Sequence, residues 1–150
     1  MAHTYGSCLY HFVFSTRGRI DAIKSEWIFD LWEYMGGIAR NSKMSAICIG
    51  GIENHVHALI MIPPSVAPAK GIQLIKANSS KWVNETLRPK IPFGWQEGYG
   101  VFTIGFSQIA KTREYIMTQA EHHRHTSFEE EYRAFLRKHM IAFEEDYIFD

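Results

Sequence analysis

Between Met44 and Pro63 the chain carries two strand-like runs separated only by Glu53-Asn54. The first, Met44 to Ile52, ends in Gly50-Gly51 and Ile52. The second, His55 to Ile62, is stopped by Pro63-Pro64, because proline lacks the N–H that a sheet interior needs. Strands joined by so short a turn pair antiparallel. The other segments must be laid out around that hairpin.

Upstream, Ser7 to Ser15 sets Cys8, Tyr10, Phe12 and Phe14 on one face, the alternation of a half-buried strand. A polar loop from Thr16 to Lys24 contains Arg17, Gly18 and Arg19. From Ser25 to about Arg40, Trp27, Leu31, Met35 and Ile38 recur at helical spacing. Downstream, the spacing predicts a helix from about Ala69 to Leu87 with Ile72, Ile75, Trp82 and Val83 inward. A loop marked by Pro89, Pro92 and Gly94 follows, then a fourth strand from Gly100 to Phe106. Ser107 is placed to cap a helix from Gln108 to about His123. Ser127-Phe128-Glu129-Glu130 has the capping-box form that opens a last helix, to about His139. The order is strand-helix-strand-strand-helix-strand with two helices appended. It predicts an α+β fold of the ferredoxin-like, split βαβ kind, with a central antiparallel sheet and additional C-terminal helices. That fold serves many chemistries and decides none.

The length of 150 residues fits one domain, 1–150, with a distinct acidic end at about 127–150. Net charge is zero, but residues 1–126 carry 13 Lys/Arg against 9 Asp/Glu, and residues 127–150 carry 3 against 7. Most of the chain is therefore mildly basic, which permits phosphate binding. No apolar run approaches the roughly 20 residues of a membrane span, and the N-terminus lacks a signal-peptide layout, so a cytoplasmic protein is expected. Cys8 and Cys48 are expected to be reduced, buried thiols in strands.

Two motifs carry chemistry. In His55-Val56-His57 the two imidazoles, two apart on a strand, project to the same side and can grip one metal ion. In Tyr115-Ile116-Met117-Thr118-Gln119 a phenol and an amide, four apart on a helix, share one face. Each alone is unspecific: short His-x-His stretches are usually incidental, and most tyrosines pack.

Together they resemble the single-tyrosine HUH transposases of small single-strand insertion sequences and their REP-associated relatives. The likeness runs in order through Tyr10-His11-Phe12-Val13-Phe14-Ser15-Thr16, His55 to Ile62, Ile75-Lys76-Ala77-Asn78-Ser79-Ser80-Lys81-Trp82, Phe93-Gly94-Trp95-Gln96-Glu97-Gly98-Tyr99, Tyr115 to Gln119, Glu121-His122-His123 and Ser127 to Tyr132. The resemblance implies that Tyr115 is the nucleophile and that His55, His57 and Gln119 are metal ligands for magnesium or manganese. It implies cleavage and rejoining of single-stranded DNA at hairpin-bearing element ends through a 5′-phosphotyrosine ester, without ATP. It also implies a homodimer in which the catalytic helix of one subunit serves the metal site of the other, with Gly105 and Ser107 as a hinge.

Arg17, Arg19, Lys76, Ser79, Ser80, Gln96, Tyr99, His122 and His123 are the candidate DNA contacts: Arg17, Arg19 and Lys76 to phosphates, Gln96 and Tyr99 to unpaired bases. The run His122, His123 and His125 otherwise reads as a polar helix end, and Glu129, Glu130 and Glu131 as helix-start charges rather than catalysis. Two readings compete: a domesticated relative acting on chromosomal repeat hairpins, and a silent hairpin-binding protein. A phosphodiesterase that uses water is a third.

Overall fold

Leu9–Ser15 (β1), Ser45–Ile52 (β2), His55–Met61 (β3) and Gly100–Ile104 (β4) form one antiparallel sheet in the order β2-β3-β1-β4. The structure is a computed structural model and describes residues 2–150. The expected α+β, ferredoxin-like layout is present. Ile28–Asn41 (α1) links β1 to β2 and Pro68–Trp82 (α2) links β3 to β4.

The two faces of the sheet do different work. Phe12 and Phe14 of β1 and Val56, Ala58 and Ile60 of β3 pack with Leu31, Met35 and Ile38 of α1 and Ile72 and Ile75 of α2. The alternate residues, His11 and Val13 of β1 and His55, His57 and Leu59 of β3, turn to the opposite face. A bulge between Ala46 and Cys48 shifts the register of β2, so Cys48 pairs with Leu59 and Gly50 with His57. Cys48 and Gly50 thereby join the histidine face. Both cysteines are free thiols; Cys48 is buried, whereas Cys8 is half-buried just before β1.

The histidine face is covered by Ile109–Met117 (α3), Gln119–His122 (α4) and Phe128–Lys138 (α5). Ser127 caps α5 as expected, accepting from the Glu130 N–H at 3.2 Å. This helix buries Phe128, Glu131, Tyr132 and Leu136. Its apolar members join Val13 and Phe102 in a small second core.

Several expected boundaries move. α1 begins at Ile28, after a turn closed by Trp27 N–H to the Lys24 carbonyl. β4 stops at Ile104, because the Gly105 N–H is taken by the Gln108 side chain at 2.9 Å and Phe106 to Gln108 form a 3-10 turn. Ser107 therefore lies inside that turn and caps nothing. Val83–Leu87 extends α2 as a π-helical turn that ends at Arg88 in the left-handed region, φ 48°. There Asn84 clasps both backbone groups of Phe93, at 2.7 and 2.9 Å.

The largest departure is that the expected helix from Gln108 to His123 is broken at Thr118, φ −110° and ψ 27°. The Thr118 hydroxyl donates back to the Glu114 carbonyl at 2.9 Å, a competition with the helix ladder that bends helices.

Candidate active site and metal centre

His55 and His57 lie in the middle of the molecule with no exposed surface. Each is oriented by a bond from its Nδ1. For His55 the partner is Asn54 Oδ1 at 2.9 Å, which can only accept, so Nδ1 carries the proton and Nε2 points inward as a lone pair when the ring is neutral. For His57 the partner is His11 Nε2 at 2.8 Å, also buried. Metal-binding histidines are fixed in this way by a second bond on the far nitrogen.

The appended helices supply the other groups. Although the helix breaks at Thr118, Gln119 Nε2 donates to the Tyr115 carbonyl at 3.1 Å. This turns Gln119 Oε1 toward His55 Nε2 at 3.1 Å and His123 Nε2 at 2.9 Å. The Nδ1 of His123 donates to the Thr126 carbonyl at 2.6 Å. From α5, the Glu131 carboxylate enters the centre. Its Oε1 lies 2.9 Å from His57 Nε2 and 3.4 Å from His55 Nε2. Its Oε2 lies 3.2 Å from His122 Nε2 and 3.3 Å from His123 Nε2, and accepts the Tyr115 hydroxyl.

This arrangement fits a cation. In neutral His55 and His123, with their protons on Nδ1, both Nε2 lone pairs face the oxygens of Gln119 and Glu131. Acceptor opposite acceptor is repulsive unless a proton or a metal ion lies between them. One ligand atom from each of His55, His57, His123 and Glu131 lies within 4.8 Å of all the others. The donor set, imidazole nitrogens with a carboxylate oxygen, suits a divalent transition-metal ion more than a soft, thiolate-seeking one.

The electrostatics agree. Burial, with the neighbouring His57, lowers His11 to about 3, and burial lowers His57 to about 4 against the pull of Glu131. Burial would raise Glu131, but bonds from His123, His55 and His57 outweigh it and hold the carboxyl well below the usual range. Burial would lower His123, but its bond to Glu131 raises it. Burial and the adjacent Glu131 charge both push the Tyr115 phenol up, so it is protonated at rest.

A consequence for stability follows. The folded protein keeps His11 and His57 neutral where the unfolded chain, with a histidine value of 6.5, takes up protons. Their contribution is complete above about pH 6.5 and is lost as pH falls toward about 4. Glu131 adds to the loss at lower pH, and the raised His123 opposes part of it. The melting temperature of metal-free protein is expected to drop between pH 7 and pH 5; a melting curve that is flat or rises would contradict the arrangement.

The structure therefore brings Tyr115, His55, His57, Gln119, His122 and His123 together, and adds Glu131 and His11. Glu131, read from the sequence as a helix-start charge, is a correction: it is 3% exposed and touches five of the site's side chains, His55, His57, His122, His123 and Tyr115. The available signal was its position within the buried stripe Phe128, Glu131, Tyr132, where a lone carboxylate on an apolar face demands partners. His123 is likewise turned inward, its Nε2 facing Gln119 and Glu131.

The remaining candidates lie away from Tyr115. Arg17, Lys76, Ser80, Gln96 and Tyr99 line a second cleft of about 300 Å³ against α2. Ser79 is fully buried and accepts from the Trp95 indole N–H at 2.9 Å, so it is a core group and no DNA contact. Gln96 is also committed: its Oε1 accepts from the Ser15 N–H at 2.8 Å and its Nε2 donates to the Asp150 carbonyl at 3.1 Å. Lys76 donates to the carbonyls of Glu97 and Gly98, and burial lowers it to about 8. Arg19 pairs with Glu129 at 3.0 Å and lies over the Phe149 ring. Arg17 remains exposed.

Beside Tyr115 a cleft of about 410 Å³ opens between α3 and α5, with β4 and His122 of α4 on its lining. Among the described residues no helix is long and apolar enough to cross a membrane.

A family model described as "Transposase IS200 like" matches residues 4–119. Transposases for insertion sequence element IS200 from Salmonella typhimurium and Salmonella typhi are each 27% identical over 126 residues, covering 81% of this chain and 82% of theirs. Two solved structures share the fold. One, from Deinococcus radiodurans and described as a transposase, has a TM-score of 0.62 at 20% identity, over 79% of this chain and 98% of that one. The other, a REP-associated tyrosine transposase bound to a REP hairpin, has a TM-score of 0.59 at 14% identity, over 82% of this chain and 73% of that one.

Proposed function

The chain belongs to the IS200-like transposase family, and on that premise we propose that it cleaves and rejoins single-stranded DNA at hairpin-bearing ends, with Tyr115 as nucleophile. The observation that carries this reading is that the Tyr115 hydroxyl meets the same carboxylate that touches both β3 histidines.

In cleavage the Tyr115 oxygen attacks phosphorus and the bond to the 3′-oxygen breaks. The DNA is left on the enzyme through its 5′-phosphate, with a free 3′-hydroxyl on the other piece. Glu131 Oε2, which accepts the phenol's hydrogen bond, is the nearest acceptor for the phenolic proton. In rejoining a 3′-hydroxyl attacks the phosphotyrosine and the phenol leaves, so the linkage energy is kept without ATP. His55, His57 and Glu131, with Gln119 and His123 beside them, would hold a divalent ion, magnesium or manganese, whose chemistry when bound is Lewis-acid polarisation of the scissile phosphate. His11 and Asn54 orient the two histidines for that task. A hairpin substrate is supported by the REP hairpin in the structurally similar REP-associated transposase.

The test is a covalent-adduct assay with labelled single strands tiled across the gene's own flanks, with manganese, on a denaturing gel. A shifted band supports the reading. Hairpin binding without a band favours a silent binding protein, and cut strands free of protein favour hydrolysis by water. A domesticated relative would share the chemistry and would be recognised by repeat hairpins in the flanks. His57→Ala is expected to abolish the band and weaken manganese binding measured by calorimetry, while hairpin binding persists. Unchanged cleavage would remove His57 from the mechanism.

The family resemblance favours a homodimer in which α3, hinged at Gly105, crosses to a partner copy. Within one chain, however, Tyr115 already meets its own Glu131. We therefore expect catalysis in cis: mixing Tyr115→Phe chains with His57→Ala chains will restore no adduct. Restored adduct would assign the shared, trans arrangement.

A further inference from the structure

We propose that the 410 Å³ cleft beside Tyr115 holds one unstacked base of the substrate strand, next to the scissile phosphate. The proposal rests on Tyr115 being the nucleophile, as argued above. It adds a base-reading element built on Phe102, Phe135 and His139, which the proposed chemistry does not use.

The cleft has the size of a small-molecule site, within the usual range of about 300–1,000 Å³. Its lining is aromatic. Phe102 and Phe135 stack with centroids 5.1 Å apart, and the His139 ring lies 4.5 Å from Phe102. Phe135 also packs edge-on against the Tyr115 ring, at 5.9 Å, so a base on this lining would sit beside the nucleophile. Such surfaces bind bases through their π-faces.

The rim carries what a nucleotide's phosphates require. Lys111 on α3 and Lys138 on α5 line the cleft, and among the described residues neither takes part in an ion pair. Glu130 and Glu131 match the two lysines in number, but Glu131 is already committed to Tyr115 and the histidines, which leaves Glu130 as the carboxylate facing them. Thr103, Thr112 and Gln108 supply polar groups for a base edge; Gln108 spends its oxygen on the Gly105 N–H and keeps its amide N–H groups free. In the cleft at α2 the Lys76 amine is engaged by two carbonyls, which leaves Arg17 as the exposed cation on that lining.

The test starts from the strand shown to form the adduct. Single abasic sites are placed in turn at each position flanking the cut, and adduct rates are compared with the intact strand. One position is expected to lose about 10-fold or more, the order of a base–aromatic stack. Phe135→Leu keeps apolar bulk but removes the ring. With that variant the intact strand should react as slowly as the abasic one. Should Phe135→Leu fail to fold, His139→Ala, exposed at the end of α5, is expected to shrink the same penalty. Lys111→Ala with Lys138→Ala should raise KM and flatten its salt dependence, leaving the abasic penalty in place. As a readout without turnover, 2-aminopurine at the sensitive position should change fluorescence on binding Tyr115→Phe protein. Intact strands that form adduct, with every abasic strand reacting within about twofold of them, would overturn the pocket alone. Absence of any adduct from intact strands would overturn the nucleophile assignment and the pocket with it.

Discussion

With Tyr115 replaced by Phe, single-stranded DNA will still bind but will no longer migrate covalently attached to the protein. The loss in adduct rate is expected to exceed about 10⁴-fold, the scale on which enzymes fail when a nucleophile is deleted. The substitution removes one oxygen and leaves the ring, which packs against His11, His57 and Phe135 at centroid distances of 6.4, 5.5 and 5.9 Å. The fold should therefore be unchanged. Glu131 loses the hydroxyl but keeps the histidines, so the carboxylate is not left unpaired. Metal affinity measured by calorimetry should stay within a few-fold of the parent. A persistent adduct in Tyr115→Phe would assign the nucleophile elsewhere.

Gly50→Ala should cost about 10²-fold in adduct rate, although Gly50 supplies no side chain to the site described. Gly50 pairs with His57 across the hairpin and faces the helices because of the bulge in β2. A Cβ there would lie 2.7 Å from the Ile116 carbonyl oxygen and 3.0 Å from Ile116 Cγ2. The first is backbone, so relief requires α3 itself to move, and α3 carries Tyr115. A displacement of an ångström in a reacting group costs about two orders of magnitude. The stability penalty should be that of overpacking, about 1–3 kcal/mol. Gly36→Ala is the control: its Cβ would meet nothing nearer than 3.9 Å, and alanine favours the middle of a helix. Equal adduct rates for Gly50→Ala and Gly36→Ala would show that α3's seat on Gly50 does not place Tyr115.

The parts of the molecule legible in the sequence are those written in local patterns. Alternation marked β1, a run stopped by Pro63-Pro64 marked β3, helical spacing marked α1 and α2, and the two-residue turn at Glu53-Asn54 marked the hairpin, so the sheet followed. The His55/His57 pair was legible for the same reason, since a strand sends residues two apart to one side. Glu131 was not, because three consecutive glutamates at a helix start have a sufficient electrostatic explanation. Only packing shows that the third lies on the buried stripe while Glu130 is exposed. The break at Thr118 was hidden because threonine is tolerated in helices, and its back-bond becomes decisive only where Gln119 must turn inward. Ser79 and Gln96 misled for the opposite reason: both are polar, but each satisfies a buried indole or backbone group that the sequence does not place beside it.

The anchoring of α3 and α4 has one further consequence. α3 buries Ile116 alone and α4 buries Gln119 alone, whereas α5 buries four side chains and α1 five. Local opening costs least where few apolar contacts must be broken. Amide hydrogens from Ile109 to His122 should therefore exchange with solvent well before those of β1 and β3, by partial openings that leave the sheet protected. The segment that bears Tyr115 is expected to detach and reseat on its own, at a small fraction of the cost of unfolding the protein.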